Sequence, residues 1–416
     1  MSHARVLAAV ALLLLAGCAR RAPHGKTVEF WTMQLKPTFT GYIQGMLDAW
    51  QARHPGIKVD WVDLPASEIE DKTLTAAASG QPPDLVNLNP SFSSKLANAD
   101  ALLPLTLPAA VRDGYVKSGI DANTFEGRLI GLPWYLSTSI TLYNTQVWRK
   151  AGLPLGRWPH TYTELAADSR QIKARTGALG FVPTFGDRGK FMELLAAEGV
   201  ALLTPDGRRA AFDTPQGVGV LAFWAGLMHD GIVPQESLTL DHRDAIDRFQ
   251  SGQTAALPAG PQFLRIIQQN SPQLYKDLAL GPQIIGASGK LDVGVMNLVI
   301  LRSSPHPKLA LDLAEFVTDG PNQLAFAKLV PILPSIRADL RDPYFRPTGG
   351  DLPTRARALA AEQLLHASLL VPPLPHEAEL ARSLDGALSR AALGRQSPAQ
   401  ALEQAAKEWD NLLASP

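Results

Sequence analysis

Residues 27–31 read Thr-Val-Glu-Phe-Trp, and residues 84–88 read Asp-Leu-Val-Asn-Leu. Both are short apolar-rich runs, as is the Ile-Lys-Val-Asp-Trp-Val of residues 57–62, so all three are predicted to be strands. Amphipathic stretches over 39–53 and 67–79 predict the helices between them. Strands that alternate with helices at this pace indicate βαβ units around a parallel sheet, so the fold class is α/β. Such sheets bind ligands at the carboxyl ends of their strands.

The first eighteen residues have the layout of an export signal. Arg5 supplies a positive charge, residues 6–15 are an unbroken apolar run, and Leu-Ala-Gly precedes Cys18, the only cysteine. The apolar run is too short for a bilayer, which takes about 20 residues, so residues 1–17 are predicted to be a signal peptide. Leu-Ala-Gly-Cys resembles the bacterial lipobox, which implies a lipid anchor on Cys18. An ordinary signal cut beside a chance cysteine is the alternative. Residues 18–26 are predicted to be a tether.

The composition argues against several classes of function. Lys and Arg together number 39, and so do Asp and Glu, so the chain has no charge footprint for nucleic acid or anionic lipid. A single cysteine allows no internal disulfide and no cysteine-based metal site. The Gly-x-Ser-x-Gly, His-Glu-x-x-His and Gly-x-Gly-x-x-Gly patterns do not occur, which argues against hydrolase, metalloprotease and nucleotide sites. We therefore expect no catalytic residue, no metal and no cofactor, although scattered carboxylates leave a glycosidase pair open.

Six segments, taken in order, resemble the extracytoplasmic solute-binding proteins of sugar ABC importers, the maltose-binding-like family (family 1). Together they cover nearly the whole chain after the signal. The segments differ from the usual family pattern at Tyr162, where a tryptophan is common, and at Thr145-Gln146. They are residues 28–31 with 50–59, 76–89, 125–134 continuing into 142–165, 249–256, 306–317 and 394–402.

The resemblance implies a two-lobed periplasmic-binding-protein fold (type II), with a ligand cleft between lobes that a hinge joins. Two domains also suit the length of 416 residues, which exceeds what one core usually spans. The chain is expected to cross between lobes near residues 137–140, 294–297 and 330–334. Lobe one is then predicted to be 27–138 plus 295–331, and lobe two 139–294 plus 332–416.

A sugar presents hydroxyl groups, which need polar partners, and C–H patches, which lie on aromatic rings. Polar and aromatic residues at strand ends and in loops are therefore the candidates for ligand binding. The alternative is core packing for Trp31 and Trp224 and turn formation for Asn89. Pattern and resemblance together predict the ligand-binding set Trp31, Asn89, Ser91, Trp134, Tyr135, Trp224, Gly260, Gln262 and Asn297.

These features predict the substrate-binding component of an ABC importer, which captures a neutral di- or oligosaccharide or a glycosylated polyol by lobe closure. Its expected partners are the carbohydrate and the membrane permease. It is expected to be a monomer in the periplasm or at the cell surface, to bind no nucleic acid and to touch the membrane only through Cys18. A binding protein for glycerol-3-phosphate or a glycerophosphodiester is one alternative. A glycan-acting enzyme or a scaffold lipoprotein is the alternative of another class.

Overall fold

Two β-sheets, of six and three strands, organise the chain in the computed structural model, which describes residues 26–414, and a further pair of strands forms a two-stranded sheet. The predicted signal peptide, Cys18 and the tether before Lys26 lie outside the described residues. The strands are β1 (Lys26–Met33), β2 (Ile57–Leu64), β3 (Leu85–Leu88), β4 (Thr124–Phe125), β5 (Arg128–Leu129), β6 (Leu132–Ser137), β7 (Ile140–Asn144), β8 (Ala256–Ala259), β9 (Leu278–Gly281), β10 (Gly294–Ile300) and β11 (Leu333–Pro334).

Helices cover the sheets and build most of the second half of the chain. Within residues 26–414, none of them is both long enough and apolar enough to span a membrane. Short 3-10 turns lie at Gln235–Leu238, Asp339–Arg341 and Pro343–Phe345. The helices are α1 (Thr40–Arg53), α2 (Ala66–Ser79), α3 (Pro90–Asn98), α4 (Ala109–Arg112), α5 (Lys117–Ala122), α6 (Thr145–Lys150), α7 (Tyr162–Thr176), α8 (Lys190–Ala197), α9 (Pro215–His229), α10 (His242–Gln250), α11 (Phe263–Asn270), α12 (Pro272–Lys276), α13 (Pro307–Val317), α14 (Gly320–Leu329), α15 (Leu352–Leu364), α16 (Glu377–Ala392) and α17 (Pro398–Leu413).

The larger sheet has six strands in the order β11–β6–β10–β3–β1–β2. β1 is parallel to β2 and β3, as the sequence predicts, whereas β10 is antiparallel to both β3 and β6. The carboxyl ends of β1, β2, β3 and β6 therefore meet at one edge. The start of β10 joins them there, since Gly294 pairs with Ser137 and Asn297 with Leu88.

Alternation along β1 shows why this stretch forms a strand inside a layered fold. Val28, Phe30 and Thr32 are buried, and the residues between them are not fully buried. Val28 and Phe30 pack with Leu47 and Trp50 of α1 in one core cluster. A second cluster covers the other face of the sheet. Helices thus lie on both faces, as is usual for sheets with parallel strands.

The smaller sheet has three antiparallel strands in the order β8–β7–β9. A helical core containing Trp224 of α9 and Trp409 of α17 packs beside it. α7 begins with a capping box between Thr161 and Glu164 and ends at Gly177, whose φ of 74° is left-handed. These are ordinary start and stop signals of a helix.

The chain passes between the six-stranded and the three-stranded sheet after Ser137 and again before Gly294. β6 ends at Ser137 in the larger sheet and β7 starts at Ile140 in the smaller one, and β10 returns at Gly294. The third connection lies later in the chain than the expected residues 330–334, because Leu333 still pairs with Leu136 of β6 in the larger sheet. The amide of Arg337 still donates to the carbonyl of Gly114 on the same side. We therefore propose that lobe one continues past residue 331 to about Arg337.

A buried amide network fastens β10 to the helices of lobe one. Asn297 is 0% exposed, and its Nδ2 donates to Asn123 Oδ1 at 2.7 Å and to Ser93 Oγ at 3.0 Å. Asn87 Nδ2 in turn donates to the carbonyl of Asn297 at 3.0 Å. Asn297 was predicted to contact ligand. In the structure its side-chain amide is hydrogen-bonded to Asn123 and Ser93, because β10 lies in the middle of a sheet that is covered on both faces.

Replacing Asn297 should therefore lower stability. We expect Asn297→Ala to reduce the free energy of unfolding by about 2 kcal/mol, because Asn123 Oδ1 would lose its donor and Ser93 one of its hydrogen bonds in a buried site. Urea denaturation measures this, with Asn98→Ala, an exposed asparagine on α3, as the control. Equal midpoints for the two variants would contradict the structural role.

Candidate ligand cleft

A cleft opens where the carboxyl edge of the larger sheet faces the helices of the other lobe. Its volume is about 260 Å³. One wall comes from lobe one, the opposite wall from lobe two, and the floor from the second connection between them. The lining residues are Asn89, Pro90, Ser91, Arg188, Gly189, Met192, Glu193, Asp292, Val293, Gly294, Val295, Leu369, Val371, Pro373 and Glu377.

The lobe-one wall is the junction of β3 with α3. Asn89 caps α3, and its Oδ1 accepts from the amide of Phe92 at 2.8 Å, as asparagine commonly does at this position. The cap uses Oδ1, so Nδ2 is the group that Asn89 can offer to a ligand. Ser91, two residues on, lines the cleft opposite Glu377 of the other lobe, whose pKa it lowers. The predicted pair Asn89 and Ser91 thus lies on the cleft.

The lobe-two wall begins at α8. Gly189 precedes the helix with a φ of 86°, a conformation that favours glycine. Lys190 Nζ lies 2.8 Å from Glu193 Oε2 in an ion pair, and about a third of the Lys190 side chain (33%) is exposed. Glu193 raises the pKa of Lys190 above its usual range, so this lysine is charged. Lys190 lines the neighbouring cavity, and Arg188 is the positively charged residue of the cleft lining.

Asp292 places a carboxylate on the floor of the cleft. Leu370 donates its amide to Asp292 Oδ1 at 3.3 Å, and the amide of Asp292 itself donates to Gln283 Oε1 at 2.9 Å. Burial raises the pKa of Asp292, nearby Glu193 raises it further, and Lys190 lowers it. Asp292 therefore takes up a proton more readily than an ordinary aspartate.

Two carboxyl groups of α16 complete the polar side of the site. Burial raises the pKa of Glu377, whereas Ser91 lowers it. Burial also raises the pKa of Asp385 to about 6, and Asp385 Oδ2 accepts from the amide of Gly189 at 3.4 Å, at the start of α8. Asp385 Oδ1 is buried and has no partner among the described residues. Within residues 26–414, no group of three or more His, Cys, Asp or Glu residues could hold a metal ion.

A second, smaller cavity of about 130 Å³ lies on the other side of α8. Trp224, one of the predicted residues, forms part of its wall and makes edge contacts with Tyr162 at 5.3 Å and Phe185 at 5.5 Å between ring centroids. Lys190 of α8 lines it as well. Trp224 therefore belongs to an aromatic cavity within lobe two and not to the lining of the cleft.

Trp134 and Tyr135 lie in the aromatic core of lobe one. Trp134 is 1% exposed, with its ring centroid 5.6 Å from that of Phe326 and 6.1 Å from that of Phe30. Tyr135 packs against Trp134 at 5.3 Å. The sequence placed both next to a ligand because they precede the hinge. β6 is covered on both faces, however, so its large side chains are taken up by packing.

The three other predicted residues also lie outside the cleft lining. β1 continues two residues beyond Trp31, whose indole Nε1 donates to Glu29 at 2.6 Å. Gly260 and Gln262 follow β8, whose last residue, Ala259, lines the smaller cavity. The side chain of Gln262 folds back over Gly260, so close that a Cβ on that glycine would lie 2.1 Å from Gln262 Oε1.

Sequence reasoning missed the charged residues of the cleft, namely Arg188, Glu193, Asp292 and Glu377. Asp292 carried a usable signal, because it immediately precedes the predicted second crossing. Glu377 carried none that is specific, because α16 contributes to the cleft only through the packing of distant helices.

Comparison with known proteins agrees with this architecture. The sequence profile described as "Bacterial extracellular solute-binding protein" matches residues 36–323. The chain is 36% identical to a candidate oligosaccharide periplasmic-binding protein from Synechococcus sp. MITs9220, whose crystal structure superposes with a TM-score of 0.85 over 93% of this chain and 99% of that one. A cyclic α-maltosyl-1,6-maltose binding protein from Arthrobacter globiformis shares the fold, with a TM-score of 0.79 and 20% identity over 94% and 99% of the two chains.

A curated relative extends the same pattern. The galactooligosaccharide-binding protein of Bacillus subtilis strain 168 is 23% identical over 421 residues, which cover 97% of this chain and 94% of that protein. The profile spans more than half of the sequence, and the Synechococcus protein is similar over nearly all of it. The two-lobed α/β fold and the cleft between the lobes agree with both. The chain therefore belongs to the bacterial extracellular solute-binding protein family.

Proposed function

We propose that this protein is the substrate-binding component of an ABC importer and that it captures a neutral oligosaccharide or glycosylated polyol between its lobes. The observation that carries the proposal is the cleft itself. Asn89 and Ser91 form one wall, and Glu193, Asp292 and Glu377 line the other wall and the floor. Carboxylates, amides and hydroxyls from two lobes are the groups that pair with sugar hydroxyls.

Relatives support a saccharide as the ligand. A candidate oligosaccharide periplasmic-binding protein is 36% identical to the chain, and a galactooligosaccharide-binding protein is similar over 97% of it. The name of a relative describes the relative, so the particular sugar is left to experiment.

The charges of the cleft favour a neutral ligand over a glycerol phosphate. A phosphate is best held by arginines in bidentate geometry. Arg188 is the one arginine of the described lining, and three carboxylates face the same space. Lys190 is already paired with Glu193 at 2.8 Å. A phosphate would have to compete with these carboxylates for the cations, whereas hydroxyl groups can donate to the carboxylates directly.

Capture would work through the difference in affinity between the open and closed arrangements. A ligand shifts such an equilibrium only by the contacts that it gains in one state. Groups on both walls can hold one ligand together only when the lobes are close. Ser91 and Glu377 line the cleft from opposite lobes, which is where a bound sugar would add its hydrogen bonds.

Export and delivery complete the proposal. We place the protein outside the cytoplasm, attached to the membrane through a lipid on Cys18 and acting as a monomer that docks on the permease. It carries out no reaction on its ligand. The glycan-acting enzyme and the scaffold lipoprotein have no specific observation in their favour.

Glu377 should matter for binding, whereas its neighbour on the same helix should not. We expect Glu377→Gln to weaken binding of the cognate neutral saccharide about tenfold, because an acceptor on the cleft wall is lost. Glu379→Gln is the matched control, since Glu379 pairs with Arg382 at 3.1 Å and does not line the cleft.

Isothermal titration with the full chain carrying Cys18→Ser, against neutral oligosaccharides, glycosylated polyols and glycerol phosphates, measures both affinities. Binding of glycerol phosphates alone would favour the alternative ligand. An equal loss of affinity in Glu377→Gln and Glu379→Gln would mean that the ligand binds outside this cleft.

Affinity should fall as the pH falls. The raised pKa of Asp292 means that it is protonated at a pH where an ordinary aspartate is still ionised. Protonation removes an acceptor for sugar hydroxyls. We expect affinity to drop several-fold between pH 7.5 and pH 5, and this drop to shrink in Asp292→Asn. Titrations at the two pH values test this, and a pH-independent affinity in the unsubstituted protein would contradict it.

The anchor can be tested by cell fractionation. We expect the unsubstituted chain to partition with membranes and Cys18→Ser to remain in the aqueous phase of a detergent phase separation, because the attachment depends on the lipid. A Ser2→Ala substitution in the same signal serves as the control. Membrane partitioning of Cys18→Ser would show that another feature holds the protein.

A further inference from the structure

Two lysines beside the cleft already have carboxylate partners of their own. Lys190 Nζ lies 2.8 Å from Glu193 Oε2 on α8. Lys95 Nζ, on α3 of lobe one, lies 4.0 Å from Glu70 Oε2 on α2. Each ammonium group is therefore closest to a carboxylate of its own lobe, which offsets part of its charge.

The arginine of the cleft lining also acts on a carboxyl group outside that lining. Arg188 lowers the pKa of Asp385, whose Oδ2 accepts from the amide of Gly189 at 3.4 Å. Asp385 does not itself line the cleft. The positive charge of Arg188 is thus shared with a carboxyl group that a ligand in the cleft would not contact.

Two carboxylates of the cleft lining have no cation of their own. Neither Asp292 nor Glu377 forms an ion pair with a lysine, arginine or histidine of residues 26–414. Burial is the largest effect on both and raises their pKa values, against smaller opposite effects of Lys190 on Asp292 and of Lys95 on Glu377. Both carboxylates therefore lose hydration without gaining a cation at contact distance.

The space in front of these carboxylates is open to a ligand. Asp292 and Glu377 are partly exposed and line the same cleft of about 260 Å³. The cleft is a ligand site on other grounds as well, because Asn89 and Ser91 form its opposite wall and the chain belongs to a solute-binding family. A partly buried charge is stabilised by an opposite charge, so a cationic ligand would supply the partner that the protein does not.

We propose that the cleft selects saccharides that carry a protonated amine, namely unacetylated amino sugars, over neutral sugars of the same shape. This proposal rests on the proposed function, because it concerns the choice of ligand at the same cleft, and it adds a ligand class to the neutral saccharides. Hydroxyl groups of an amino sugar can pair with Asn89 and Ser91 as those of a neutral sugar do. The ammonium group adds N–H donors and a positive charge on the side of Asp292 and Glu377.

A sugar amine suits this lining better than other cations do. Within the part of the chain that the structure describes, no group of three or more His, Cys, Asp or Glu residues could hold a metal ion. A polyamine without hydroxyl groups would leave the wall of Asn89 and Ser91 without acceptors and donors to pair with. Charge-assisted hydrogen bonds are roughly twice as strong as neutral ones, so one amine in place of a hydroxyl is enough to set the preference.

Matched pairs of sugars separate the effect of the charge from that of the shape. The full chain carrying Cys18→Ser is titrated calorimetrically at pH 7 with glucosamine and glucose, galactosamine and galactose, and the glucosamine disaccharide from chitosan and cellobiose. Within each pair, amines replace hydroxyl groups and nothing else changes. In the pair that fits the cleft, we expect the amine to bind about tenfold more tightly. Its N-acetyl derivative should lose this gain, because acetylation removes the positive charge.

The gain should depend on the two unpaired carboxylates. In Glu377→Gln and in Asp292→Asn, we expect the ratio of amine affinity to neutral affinity to fall several-fold. Glu379→Gln should keep the ratio, since Glu379 pairs with Arg382 at 3.1 Å and does not line the cleft. The ratio should also shrink when the ionic strength rises from about 0.01 M to 1 M, because the Debye length falls from about 30 Å to 3 Å.

Amines that bind no more tightly than their neutral counterparts in all three pairs would overturn the inference. A ratio that stays the same in both Glu377→Gln and Asp292→Asn would overturn it as well, since the charge would then act elsewhere. Should one of these variants fail to fold, the other decides. The neutral sugars test the proposed function separately: binding of an amine without binding of any neutral saccharide would support the inference and contradict the neutral ligand.

Discussion

The connections between the two lobes are partly buried, and each buried polar group in them needs a hydrogen-bond partner. Gln363 meets this need for Ser139 and Gln283, and Gln323 meets it for Ser335. An unpaired group at such a position would cost about 1–3 kcal/mol, so these bonds stabilise each lobe next to the connections. The shape of the cleft depends on how the connections join the lobes, because its two walls belong to different lobes.

The cleft follows from the topology of the larger sheet. The carboxyl ends of its parallel strands meet at one edge, and the cap of α3 brings Asn89 to this edge. The opposite wall is charged, with carboxyl groups whose pKa values burial raises. A site of this kind is suited to a ligand that brings many hydrogen-bond donors and little charge. That preference is consistent with the saccharide names among the relatives.

The predicted ligand contacts and the structure differ mainly where a side chain could either contact ligand or pack inside the protein. Trp134 and Tyr135 were expected to contact the ligand. Both pack among the aromatic rings of lobe one instead, since burial in a core stabilises an aromatic ring as effectively as contact with a sugar does. Asn297 shows the same competition for a polar group. Asn89 and Ser91 line the cleft, and a strand end followed by a helix cap is a local pattern that the sequence shows. The proposed ligand contacts of both remain predictions.

The sequence by itself determined the α/β class, the parallel pairing of the first three strands and the two helices between those strands. These depend on periodicity, caps and breakers within some twenty residues of one another. Only the tertiary structure decided that Glu193, Asp292 and Glu377 share one cleft and that Gln363 joins the hinge passages. Those residues lie far apart along the chain, and nothing in the local sequence of one specifies the position of another. Packing of whole elements brings them together, so their roles appear only after the chain has folded.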